Sequence, residues 1–98
     1  MQVIYHPEGL AELEEITAYL ESKSSGLGQR FILELDAMIS QLTRHPLRWR
    51  RVRGEIRKGW LKVFPYDICY LPREASISVE AVVHQKRHPK YWLERYED

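Results

Sequence analysis

Two runs rich in β-branched and aromatic residues constrain this chain more than any other stretch: Phe64-Pro65-Tyr66-Asp67-Ile68-Cys69-Tyr70 and Ile77-Ser78-Val79-Glu80-Ala81-Val82-Val83-His84. Such residues suit a pleated, half-buried surface, and the break between them, Pro72-Arg73-Glu74-Ala75-Ser76, suits a hairpin of the longer type. They read as the two central strands of a small antiparallel sheet. Successive strand side chains point opposite ways, so Ile77, Val79, Ala81 and Val83 are expected on one face and Ser78, Glu80, Val82 and His84 on the other. One face then needs an apolar cover, which the front half of the chain must supply.

That front half has the right periodicity. After a short strand over Gln2 to Tyr5, His6-Pro7-Glu8 reads as a helix start, with proline at the first helical position and acids in the first turn. Leu10, Leu13, Ile16, Thr17 and Leu20 then recur at helical spacing, while Glu12, Glu14, Glu15 and Glu21 fall elsewhere on the wheel as an acidic back. Ser22-Lys23-Ser24-Ser25-Gly26 ends the helix. A second one carries Leu27, Phe31, Leu35, Met38, Ile39 and Leu42 and must stop near His45, because Pro46 disfavours helical backbone before it. A break so short makes the pair an antiparallel hairpin whose joint apolar face is the lid.

Beyond it, Arg48 to Arg53 reads as an edge strand or extended arm and Ile56 to Val63 as a strand, with Pro65 marking a turn or bulge before the next. Pro89 to Tyr96 reads as a short terminal helix that Tyr91 and Trp92 pack onto the sheet. The expected class is therefore α+β, in the order β-α-α and then three or four strands in an antiparallel meander, forming one domain over residues 1–98.

Ninety-eight residues with 44% hydrophobic and 30% charged side chains describe an ordinary globular chain with one core, only marginally stable alone. Cys69 is the only cysteine, which excludes an internal disulfide and suits a reducing compartment. Apolar runs are too short to span a bilayer and no leader pattern opens the chain, so a cytoplasmic location without a membrane partner is expected. The net charge of +1 hides an asymmetry: Met1 to Thr43 holds seven acids and two bases, Arg44 to Lys62 eight bases and one acid, and Val63 to Asp98 six acids and five bases. A basic block of this kind is either a solvated face or an electrostatic footprint for a nucleic acid or an acidic protein segment.

Histidines 6, 45, 84 and 88 and the single cysteine show no metal-ligand spacing, and Gly26-Leu27-Gly28 is a helix junction, so neither a metal nor a cofactor is expected. What remains is a basic and aromatic cluster: Arg57, Lys58 and Lys62, then His84, Lys86, Arg87 and His88, then Tyr91, Trp92 and Arg95. Such a group can cleave RNA without metal, a base taking the 2′-hydroxyl proton, arginines stabilising the phosphorane and an acid protonating the leaving oxygen. Arginines and aromatics equally anchor protein interfaces.

The order Arg57, Phe64-Pro65-Tyr66-x-Ile68-x-Tyr70, Ile77-x-Val79-x-Ala81-Val82-x-His84, Arg87-x-Pro89-x-Tyr91-Trp92-x-x-Arg95 resembles the RelE/ParE superfamily of type II toxins, in the ParE-like or plasmid stabilisation branch. The helical positions Leu13, Ile16, Tyr19, Phe31, Leu35, Ile39, Leu42 and Pro46 fit the same pattern. The resemblance implies a small growth-inhibiting toxin paired with a cognate antitoxin that wraps its helices and sheet, forming an oligomer with it. RelE-like members cut ribosome-bound messenger RNA, whereas ParE-like members act on DNA gyrase. Where RelE-type strands carry a phosphate-contacting arginine, this chain has Asp67, whose carboxylate repels phosphate.

A ParE-like toxin that binds a protein target is therefore the first expectation, with the enzyme question leaning to no. The alternative is a metal-independent mRNA interferase in which Arg57 or Lys62 meets phosphate charge while His84, Arg87 and Tyr91 handle protons and charge. A third reading is an inactive superfamily member that only binds. Arg50, Arg51, Arg53, Trp60, Trp92 and Arg95 are the expected partner-binding residues.

Overall fold

The computed structural model describes residues 1–96. The order is β1 (Gln2–Tyr5), α1 (Pro7–Lys23), α2 (Leu27–Arg44), β2 (Arg51–Arg53), β3 (Ile56–Trp60), β4 (Tyr66–Pro72), β5 (Ser76–His84) and α3 (Lys90–Leu93), which runs into a 3₁₀ turn at Glu94–Tyr96. Helix starts and stops follow the local chemistry. His6 Nδ1 accepts the Glu8 N–H at 3.1 Å, with Pro7 at the first helical position. The Glu21 carboxylate accepts the Gly26 and Gly28 N–H groups at 2.9 and 3.0 Å, capping the start of α2 across a turn in which Gly26 takes φ +88°. α2 ends at Arg44, before Pro46, whose carbonyl accepts the Tyr70 hydroxyl at 2.7 Å.

The strands form one sheet in the order β1-β5-β4-β3-β2. β2 to β5 are the expected antiparallel meander, but β1 lies parallel to β5, so the sheet is mixed. Strand direction leaves no trace in local composition, because each parallel partner is supplied by a segment about seventy positions away (Gln2 opposite Ser76). The helical hairpin covers one face, and α1 crosses β5 at Gly9, where a Cβ would come within 2.9 Å of the Val79 carbonyl oxygen. Phe31, Leu35, Leu42, Ile68, Tyr70, Ile77, Val79 and Val82 fill this core, with Phe31 edge-on to Phe64 and Tyr66 at 5.6 and 5.5 Å between ring centroids.

β5 departs from strict alternation. Cys69 pairs with Ala81 and Tyr70 with Val79, so Glu80 is the extra residue of a bulge. The bulge changes the side-chain phase: Val79 and Val82 both join the helix-side core, whereas Ala81 and Val83 pack on the other face with Ile56, Cys69 and Trp92. The expected grouping of Ile77, Val79, Ala81 and Val83 is thus corrected. Both faces of β5 are covered, the second by α3 and its 3₁₀ turn. Cys69, at the centre, has its thiol pushed up to about 12 by burial first and by Asp67 second.

β1 pairs with β5 only as far as Tyr5 opposite Val79. Past that point two side chains satisfy the edge: Glu12 Oε1 accepts the Val82 N–H at 3.0 Å, and Arg95 Nη1 donates to the Glu80 carbonyl at 2.9 Å. The same guanidinium bonds the carboxylates of Glu12 and Glu8. Glu12, placed by periodicity on the acidic back of α1, is only 8% exposed, and Arg95 11%. Nearby, Glu80 takes the Tyr96 hydroxyl at 2.6 Å and the Ser78 hydroxyl at 2.5 Å.

Arg95→Ala strands a buried carboxylate, so urea unfolding should show a loss of about 3–5 kcal/mol. Lys90→Ala, which breaks only the exposed pair with Glu94, should stay within about 0.5 kcal/mol. Cys69 should resist a disulfide reagent such as DTNB at mildly alkaline pH in the native protein and react at once in denaturant, as absorbance of the thiolate released from the reagent would report.

Candidate functional site

β3, β4 and β5 meet α3 around a concave site on the face opposite the helical hairpin. Its rim carries Arg50, Arg51, Lys58 and Arg87, one wall carries Asp67, and Val52, Val83, Trp92 and Leu93 form an apolar floor around a volume of about 360 Å³. Lys58 Nζ lies 3.6 Å from Asp67 Oδ2, and Arg51 pairs with Glu55 at 3.2 Å across the β2–β3 turn. Among the described residues, neither Arg50 nor Arg87 pairs with a carboxylate. The strand alternation that buries Ile68 beneath the helices aims Asp67 the other way, into this bowl.

His84 and Arg87 form a wall between the bowl and a smaller slot of about 100 Å³, whose opposite side is acidic, with Glu12, Glu15 and Tyr91. The His84 ring stands edge-on to Tyr66 at 5.2 Å, and its Nδ1 accepts the Lys86 N–H at 3.0 Å. That bond takes the Nδ1 lone pair, so in the neutral ring the proton sits on Nε2 and the outward nitrogen is a donor. The Arg87 guanidinium lies 3.4 Å over the Tyr91 ring centroid, and that of Arg95 lies at 5.3 Å. Burial first, and the Glu12 carboxylate second, raise the Tyr91 phenol above its ordinary range.

Of the five residues expected to handle phosphate chemistry, the fold gathers His84, Arg87 and Tyr91 and separates the other two. Arg57 faces the helix side of β3, where Nη1 donates to the carbonyls of Leu47 and Trp49 at 3.2 and 2.6 Å, tying down the loop after α2. Lys62 sits in the β3–β4 loop, where Glu34 Oε2 accepts the N–H groups of Lys62 and Val63 at 2.7 and 3.1 Å. The partner-binding candidates also divide. Arg50 and Arg51 reach the bowl, Arg53 donates to the Tyr96 carbonyl at 2.9 Å, and Trp60 stands apart at the end of β3, 51% exposed. Trp92 is 3% exposed and Arg95 is turned inward, so their side chains fasten the C-terminal turn and offer little surface for docking.

Periodicity missed Glu12, although it lies four residues before Ile16 and eight before Leu20, on the same helical face. Among the described residues, no group of His, Cys, Asp or Glu is arranged to hold a metal, and no helix is long and apolar enough to cross a membrane.

This fold of paired helices on a five-stranded sheet is similar to that of a chain described as the chromosomal ParDE TA system from P. aeruginosa. The superposition has a TM-score of 0.60 at 11% sequence identity and covers 86% of this chain and 95% of that one, which establishes a common fold. A family model described as ParE toxin of type II toxin-antitoxin system, parDE, matches residues 3–89, and the chain belongs to this family. No curated protein sequence matches it.

A long-range proton–nitrogen correlation spectrum recorded above neutrality should show His84 as the Nε2–H tautomer. A proton on Nδ1 would contradict the hydrogen bond from Lys86.

Proposed function

We propose that this chain is a growth-inhibiting toxin that acts in the cytoplasm by binding a cellular protein, with DNA gyrase the target suggested by its family, and that a cognate antitoxin neutralises it. The observation that carries this reading is the hydrogen bond from the Lys86 N–H, which sets the tautomer of His84. RNA cleavage through a 2′-hydroxyl needs a group able to take a proton, and in the neutral His84 ring the nitrogen left to do so carries the proton as Nε2–H. Arg57, the natural phosphate clamp, is committed to two backbone carbonyls, and Asp67 adds a negative charge to the bowl.

Two surfaces suit an antitoxin. A groove of about 770 Å³ runs along the hairpin, lined by Leu13, Thr17, Ala18 and Ile32, and fits the apolar side of a helix. The arginines of β2 add positive charge at the far sheet edge, the complement of an acidic segment. An oligomer of toxin and antitoxin follows from this reading. The interferase reading draws on the cations of the bowl, and the same experiment decides it.

Induction of the chain alone should arrest bacterial growth, and co-expression of its antitoxin should restore it. Purified protein should inhibit supercoiling by gyrase and leave ribosome-bound message intact, and inhibition should survive His84→Ala. Message cleavage that disappears in Arg87→Ala would reverse the assignment.

A further inference from the structure

We propose that the bowl between the sheet and α3 binds an acidic–apolar peptide segment, with one carboxylate on Arg50 and Arg87 and a neighbouring apolar side chain on the floor, and that Asp67 bars nucleic acid from the same place. This rests on the reading of the surface as a protein-docking site and gives that partner its chemistry. Four cations line the bowl against one carboxylate. Two of the four already have a carboxylate, Lys58 that of Asp67 and Arg51 that of Glu55, which leaves Arg50 and the Tyr91-stacked Arg87 without an anionic partner among the described residues, with the His84 Nε2–H as a further donor. That set matches a single carboxylate. Below it, Val52 and Leu93 keep part of their apolar surface exposed beside the buried Val83 and Trp92, so an apolar group that covers them is rewarded.

Volume and charge both argue against a polynucleotide. About 360 Å³ is at the small end for ligand sites, which run from about 300 to 1,000 Å³, and takes one or two side chains. The Asp67 side chain is 13% exposed and fixed beside Lys58 on the wall. A peptide can place its one charge on the rim, away from Asp67. A nucleic acid strand carries a charge at every nucleotide, and threading it through the bowl brings one against the Lys58–Asp67 pair, which has no net positive charge to offer it.

The test uses fluorescence anisotropy on the purified full-length chain with three labelled probes: a peptide alternating Glu and Leu, a peptide of equal length alternating Glu and Ser, and single-stranded oligouridylate. The Glu–Leu peptide should bind roughly tenfold more tightly than either other probe, and Arg50→Ala and Arg87→Ala should each weaken it roughly tenfold. Both arginines are exposed, and circular dichroism checks that each variant folds. Asp67→Asn should narrow the gap between oligouridylate and the Glu–Leu peptide by roughly tenfold. Equal binding of the two peptides would remove the apolar floor from the site. Oligouridylate binding as well as the Glu–Leu peptide, or a gap unmoved by Asp67→Asn, would overturn the assignment to protein. Peptide binding is read without reference to growth, so growth arrest without it sinks this inference alone, and peptide binding without growth arrest sinks only the proposed toxicity.

Discussion

The contact between Arg95 and Glu12 is the one on which the rest of the sheet depends. β1 is four residues long and β5 is nine, so more than half of the central strand has no strand beside it on that edge. Unsatisfied peptide groups at such a place cost as much as lost hydrogen bonds. Glu12 from the first helix and Arg95 from the last turn close the gap, each satisfying one backbone group and neutralising the other. Two ends of the chain are thereby fixed to the same strand. Burying two charges is costly by itself, and this pair is tolerable because peptide groups occupy part of its remaining hydrogen-bonding capacity.

That closure also determines the site. The bulge at Glu80 puts Ala81 and Val83 behind the sheet, where small and branched side chains leave room for Trp92. Trp92 seats α3, and α3 places Tyr91 beneath Arg87, at the boundary between a basic bowl and an acidic slot. A four-residue helix has no stability of its own. Its position, and with it the shape of the bowl, comes from the tryptophan and from the Arg95 and Tyr96 bonds to α1 and β5.

Local chemistry made most of the elements legible. Proline at positions 7, 46 and 89 marked helix ends, and apolar spacing marked the hairpin and its core face. Features set by distant partners were not legible. The parallel pairing of β1, the extra residue in β5 and the burial of Glu12 all depend on what lies across the strand or behind it. The basic block misled in the same way, because charge along the sequence says nothing of where each side chain ends: Arg57 is spent on loop carbonyls, whereas Arg50 and Arg51 reach the bowl. His84, Arg87 and Tyr91 were found together because they occupy one short strand-to-helix connection. The tautomer of His84 could be read only once the Lys86 N–H was placed beside it.

A cationic concavity behind a twisted sheet can serve phosphate or carboxylate, and the number of positive charges does not decide between them. What decides is whether the interior adds to or subtracts from the rim. Here the strand position that faces inward holds Asp67, which cancels Lys58 and leaves positive potential only at the edge. Edge charge suits a partner whose acids are spaced along a folded or folding chain and whose apolar residues fill the middle. It suits a phosphodiester poorly, since neutralising a polyanion requires cations along its whole path. The histidine agrees with that distinction from a separate direction: its Nδ1 is taken by the Lys86 N–H, so in the neutral ring Nε2 presents a hydrogen, as a surface that binds acceptors should, whereas cleavage needs a lone pair there.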